Sequence, residues 1–136
     1  MPIRLFSAAL PVLISLLFSP VAVAKPPELT LANVYQKGMP LDGYWDSEKL
    51  DGVRAYWTGV RFLSRGGHEC RAPGWFTRGF PARPLDGELW MGRGRFAAWS
   101  GAVRQVVPDD DDWRRIRFMV FDLPDKEATF DQRLAR

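Results

Sequence analysis

Residues 46–57, "DSEKLDGVRAYW", set one lysine beside acidic neighbours and follow it with an aspartate, a glycine and an arginine. A lysine is a nucleophile only as the neutral amine, so Lys49 needs burial or a nearby cation to lose its proton at neutral pH. Glu48 and Asp51 push the other way. The attacking form of Lys49 therefore depends on basic groups or a metal ion supplied from outside the stretch. The glycine at 52 lets the backbone approach a ligand closely, and Arg54, carried on the same face as the lysine loop, suits a phosphate or a sugar.

Other residues of chemical interest are spread over the next seventy positions. Between residues 54 and 104 the chain holds nine arginines and no lysine, against three acids, Glu69, Asp86 and Glu88. A guanidinium fork binds two phosphate oxygens at once and stays charged, so this stretch suits a phosphate-rich partner as well as plain solvation. His68 and Cys70 are the sole histidine and sole cysteine. They are too few for a zinc site, and a single cysteine closes no internal disulfide.

The elements that must position these groups are short strands. "VRAYW" (53–57) and "VRFLSR" (60–65) are rich in aromatic and β-branched residues and flank Thr58-Gly59, which predicts a β-hairpin. "GELWMG" (87–92) predicts a third strand, and the alternation of "RIRFMVFDL" (115–123) a fourth with one buried face. "KPPEL" (25–29) reads as a proline-stiffened linker and "PDDDD" (108–112) as a charged loop. A helix is expected within "DKEATFDQRLAR" (125–136), where Phe130 and Leu134 stand four apart. The sum is an α+β domain built on antiparallel sheet.

Length and composition agree with one small domain: 136 residues, 46% hydrophobic and 13% aromatic, which excludes a disordered polar tail. The first 24 residues form a secretory signal peptide, with Arg4 ahead of an apolar run, Pro20 just before the end, and Ala22-Val23-Ala24 as the cleavage site. Pro11, Ser15, Ser19 and Pro20 interrupt the run, which disfavours a membrane anchor. Cleavage after Ala24 leaves 18 basic against 16 acidic residues, a net charge of +2.

Four segments, "EKLDGVR" (48–54), "SRGG" (64–67), "LDGELW" (85–90) and "FMVFDLP" (118–124), resemble the successive nucleotidyltransferase motifs of ATP-dependent DNA ligases, in the same order. Together with the leader, the chain is most similar to the minimal bacterial ATP-dependent ligases that are exported to the periplasm. The resemblance covers about residues 31–136 and implies a ligase acting through a lysyl-AMP intermediate in DNA repair, recombination or replication. It implies ATP and Mg2+ as cofactors and nicked double-stranded DNA as partner, with a monomeric chain free of a stable membrane anchor.

Carried over by motif position, Lys49 is the nucleophile. The resemblance makes Arg54 a contact to the AMP sugar or to the 5′-phosphate of the nick, and Arg65 a second phosphate or ribose contact. It makes Glu88 an acceptor for a ribose hydroxyl or a ligand of magnesium, and Phe121 a platform that stacks on adenine. Arg54, Arg93 and Arg95 are the expected DNA contacts.

The family pattern continues past "FDL" to a lysine-x-lysine motif and an OB-fold domain, whereas the four lysines here are Lys25, Lys37, Lys49 and Lys126. The expectation is accordingly an incomplete adenylation domain over residues 25–136, the N-terminal part of a nucleotidyltransferase domain with the OB-fold absent, and inefficient self-adenylation. Three other readings stand beside it. A capping guanylyltransferase shares the lysine motif but has no use for a secretory leader. A non-catalytic DNA-binding remnant would rely on its arginine-rich face alone. A secreted structural domain would bind neither nucleotide nor DNA.

Overall fold

Alternation of small or aromatic apolar residues with polar ones builds the strands, because successive side chains of a strand point to opposite faces. In β1 (Val53–Trp57) Ala55 and Trp57 are buried on one face, while Arg54 and Tyr56 are half-buried on the other. The computed structural model describes residues 25–94, 101–124 and 127–136. The predicted leader, Arg95 and Lys126 lie outside these described residues. None of the described helices is long and apolar enough to cross a membrane.

The remaining elements are β2 (Phe62–Ser64), β3 (Glu69–Cys70), β4 (Leu85–Trp90), α1 (Asp110–Trp113), β5 (Arg117–Asp122) and α2 (Phe130–Leu134). The five strands form one antiparallel sheet in the order β3-β2-β1-β4-β5. Ala55, Trp57, Leu85 and Leu89 turn to one face and meet Phe62, Ala102, Val103, Trp113 and Ile116. Phe62 lies 4.8 Å from Phe118 and 5.2 Å from Trp57 between ring centroids, and Phe76 lies 4.8 Å from Trp113, in edge-on or tilted contacts. The opposite face carries Arg54, Tyr56, Asp86 and Glu88.

The predicted hairpin is present, but its turn is longer than Thr58-Gly59. Thr58 N–H donates to the Arg61 carbonyl at 2.9 Å, and the Thr58 hydroxyl accepts from the N–H groups of Val60 and Arg61. Gly59 takes φ +98°, and a Cβ there would press on the Ala82 carbonyl. Val60 and Arg61 therefore leave the strand, and β2 covers 62–64 rather than 60–65. A threonine side chain competing for backbone donors is what shortens it.

Two further differences concern helices. The charged loop expected at 108–112 contains α1, because the Asp109 carboxylate accepts from the N–H groups of Asp111 and Asp112 and so caps a helix start. The C-terminal helix forms from a Thr129/Gln132 capping box and runs only over 130–134. It buries none of its residues, and Phe130 and Leu134 remain exposed. The third and fourth strands appear as 85–90 and 117–122, two residues offset from 87–92 and inside 115–123. The two-residue strand β3 was not anticipated.

The β4–β5 pairing contains one irregularity that matters for the site. Asp86 faces Asp122 while Gly87 faces Val120, so Phe121 is the extra residue of a β-bulge. Gly87 has no room for a side chain: a Cβ would sit 2.5 Å from the Met119 carbonyl oxygen and 2.7 Å from the Phe118 ring. Gly87→Ala should therefore push β5 from β4 and cost about 1–3 kcal/mol, read as a lowered urea midpoint with native secondary structure retained.

Candidate functional site

Where the chain enters β1, the backbone of Gly52 lies against the side chain of Glu88 on the neighbouring strand. Gly52 N–H donates to Glu88 Oε1 at 2.5 Å. A Cβ on Gly52 would collide with the Glu88 side chain and with the Leu89 carbonyl oxygen. Gly52 thus admits a carboxylate of this same chain, where the sequence suggested room for a ligand. Burial raises the pKa of Glu88, and the Gly52 N–H, Arg54 and Lys49 oppose the rise.

Lys49 stands three residues earlier and is open to solvent, its side chain 88% exposed. Its Nζ donates to Asp51 Oδ1 at 2.5 Å. That hydrogen bond first, then the charge of Asp51 and more weakly that of Glu88, raises the lysine pKa. The expectation that neighbouring acids favour the protonated amine holds for Asp51. Glu48 is turned aside, since its carboxylate meets Arg93 Nη2 at 2.5 Å.

Arg54 is held by a carboxylate of the neighbouring strand. Its Nε and Nη2 donate to Asp86 Oδ1 and Oδ2 at 2.7 and 2.6 Å, a two-pronged fork on a carboxylate that is 1% exposed. Nη2 also donates to the Thr30 carbonyl at 2.9 Å. The guanidinium lies 4.5 Å from the centroid of the Phe121 ring. The bulge delivers Phe121 to this face, and Arg54 covers one side of its ring.

The same construction recurs next door. Arg133 of α2 donates from Nε and Nη2 to Asp122 at 2.6 and 3.2 Å, and from Nη1 to the Ala128 carbonyl at 2.7 Å. The register sets Tyr56, Asp86 and Asp122 in one row across β1, β4 and β5. Burial and the charge of Asp86 raise the pKa of the Tyr56 hydroxyl. A cleft of about 410 Å³ is lined in part by Tyr56, Asp122, Pro124, Arg133 and Thr30; Lys49 is not in its wall.

Of the sequence-predicted residues, the structure brings Arg54, Glu88 and Phe121 to one face of the sheet, with Lys49 on the loop that nears Glu88. Arg65 sits exposed in the β2–β3 turn, where Ser64 and His68 close the backbone around Gly66 and Gly67. Since Ser64 pairs with Ala55, this turn opens at the same end of the sheet as the Lys49 loop. Arg93 is exposed beside Glu48, and Arg95 lies outside the described residues. Sequence reasoning gave no role to Asp86, Asp122 or Arg133. The signal available for Asp86 was its place two residues before Glu88 in a strand, hence on the same face.

Magnesium finds little here among the described residues: no group of three histidine, cysteine or acidic side chains is arranged to hold a metal ion. Glu88 is a single carboxylate already engaged by one backbone donor.

The chain is similar to known proteins in sequence and in fold. A curated DNA ligase of Haemophilus influenzae is 38% identical over 109 residues, 80% of this chain and 40% of that protein. A solved structure, described in a study of DNA binding with a minimal scaffold by Lig E DNA ligases, superposes with a TM-score of 0.72 at 39% identity, over 80% of this chain and 43% of the other. The chain thus spans about two-fifths of the length of the relatives it matches. No protein-family model matches the sequence.

Asp51 holds the Lys49 proton, so Asp51→Asn should lower the lysine pKa. The rate at which Lys49 reacts with an amine-selective reagent should then rise at a lower pH than in the parent chain, as followed by mass spectrometry of the peptide that carries it. An unchanged pH profile would sink the assignment.

Proposed function

We propose that this chain, a relative of the minimal DNA ligases, carries the nucleotide-accepting half of a ligase active site in an adenylation domain of the nucleotidyltransferase kind. The observation that carries this reading is the convergence of Arg54, Glu88 and Phe121, from three strands, on one face beside the loop that holds Lys49. In this reading Lys49 Nζ, once neutral, attacks the α-phosphate of ATP. A P–N bond forms, the bond to the β-phosphate bridging oxygen breaks, and pyrophosphate leaves. The 5′-phosphate of a nick then displaces the lysine to take the AMP, and the 3′-hydroxyl displaces AMP to close the strand.

Each neighbouring side chain has a task that its geometry supports. Phe121 stacks on adenine with the side of its ring that Arg54 leaves open. Glu88 is held by Gly52 through Oε1, and among the described residues Oε2 has no hydrogen-bond partner, so it can accept from a ribose hydroxyl. Arg54 gives Nε and Nη2 to Asp86 and keeps Nη1 for a sugar or phosphate oxygen. Arg65, exposed at the lysine end of the sheet, suits a nucleotide phosphate or ribose, while Arg93 at the same end suits the DNA backbone together with Arg54, and Arg95 is proposed with them on sequence alone. The chain acts as a monomer on nicked duplex.

Magnesium, held chiefly by the nucleotide phosphates with Glu88 as one protein ligand, would screen charge on the triphosphate and favour the neutral amine. The residues themselves must bring the amine to the phosphate and release its proton, and the Lys49–Asp51 pair has to open for either to happen.

Incubation with ATP labelled at the α-phosphate should yield an acid-labile AMP adduct, well below one per chain, that disappears in Lys49→Ala. A label that persists in Lys49→Ala overturns the nucleophile, and salt-dependent DNA binding without any label would favour the non-catalytic reading. Export through the leader is part of the same proposal: the periplasmic protein should begin at Lys25 on N-terminal sequencing, and an intact Met1 there would refute cleavage.

A further inference from the structure

Phe121 is poorly fixed by its own strand. As the extra residue of the bulge it has no partner across β4, and its neighbour Val120 faces Gly87, which offers no side chain to pack against. On the other side, Asp122 faces Asp86. Two carboxylates directly opposed on adjacent strands repel, and both are buried. Asp86 is balanced by Arg54. Asp122, with a side chain 5% exposed, is balanced by Arg133, itself 12% exposed.

Helix α2 buries none of its residues, and Trp45 Nε1 donates to its Asp131 Oδ1 at 2.6 Å near the surface. The fork to Asp122 is the buried part of its attachment. Without that fork the Asp122 carboxylate would lie buried against Asp86 with no cation beside it, so it would swing to solvent. That movement shifts the end of β5, and the bulge with it.

We propose that Arg133 is a positioning residue for Phe121: by neutralising Asp122 beside Asp86 it fixes the bulge of β5, so that the Phe121 ring stands against Arg54 with its free side open to a purine base. This inference rests on the reading of Phe121 as the base platform. Arg133 touches no nucleotide in it; it acts through Asp122 and the backbone of the bulge.

The test is the affinity of the whole chain for AMP and, separately, for inorganic tripolyphosphate, which has no base. Arg133→Gln should weaken AMP binding by about three- to tenfold and leave tripolyphosphate binding unchanged, while Phe121→Ala weakens AMP by about tenfold. Added to Phe121→Ala, Arg133→Gln should cause no further loss, because both act on one platform. A merely structural role would weaken both ligands and would still be felt in Phe121→Ala.

Thermal melts identify a variant that fails to fold. In that event Arg133→Lys, which keeps the charge and loses the fork, is measured instead, with a smaller loss confined to AMP expected. AMP affinity equal to the parent chain in the folded Arg133 variant, or a loss undiminished in the Phe121→Ala background, overturns the role of Arg133 and leaves the base platform standing. Absent AMP binding by the parent chain, or no effect of Phe121→Ala, overturns the platform itself and the inference with it.

Discussion

A carboxylate buried on β4, between the strands β1 and β5, is the constraint around which this face is arranged. Asp86 is almost wholly withdrawn from water, and a buried charge is tolerated only with a partner of opposite sign and good geometry. Arg54 supplies it from the adjacent strand, two residues out of register, so that the guanidinium reaches the aspartate diagonally across β1 and β4. Once the fork is made, the plane of the guanidinium is set. The Phe121 ring lies beneath it, and the Thr30 carbonyl takes one further donor. Removing either partner would leave a buried charge uncompensated, so this pair specifies geometry more than it adds net stability.

Around that anchor the groups divide by how tightly they are held. Arg54, Glu88 and Phe121 belong to strands and are fixed by neighbours, whereas Lys49 is on the loop before β1 and faces water. In the proposed reading, strand-held groups beside a solvent-exposed lysine suit a nucleophile that is protonated at rest and neutral when it attacks. Its resting partner, Asp51, is on the same loop, and the pairing of two exposed side chains contributes little to stability. Opening it is therefore cheap.

Much of the fold was legible because hydrophobic alternation is local. Residues 53–57 read as a strand and are one, and 117–122 fall inside the predicted 115–123. Errors arose where a side chain competed with the pattern. Thr58 drew two strand residues into a turn, and Asp109 converted a charged loop into a helix start. The motif residues themselves were legible: Arg54, Glu88 and Phe121 lie on one face, with Lys49 on the loop that nears Glu88. Arg133 was not, because its partner Asp122 lies eleven residues away across a loop and no periodicity links them.

By itself the sequence determined four of the five strands in outline, the resemblance to a ligase and the residue types that could carry its chemistry. Each of these follows from spacing along the chain or from motifs read in order. Tertiary structure decided which groups are already spent on one another: Gly52 on Glu88, Glu48 on Arg93, Arg54 on Asp86, Arg133 on Asp122. It also decided that Phe121 sits in a bulge beneath a guanidinium. The reason is physical: a charge seeks the nearest partner in space, and in an antiparallel sheet that partner is set by register, which no window of neighbouring residues contains.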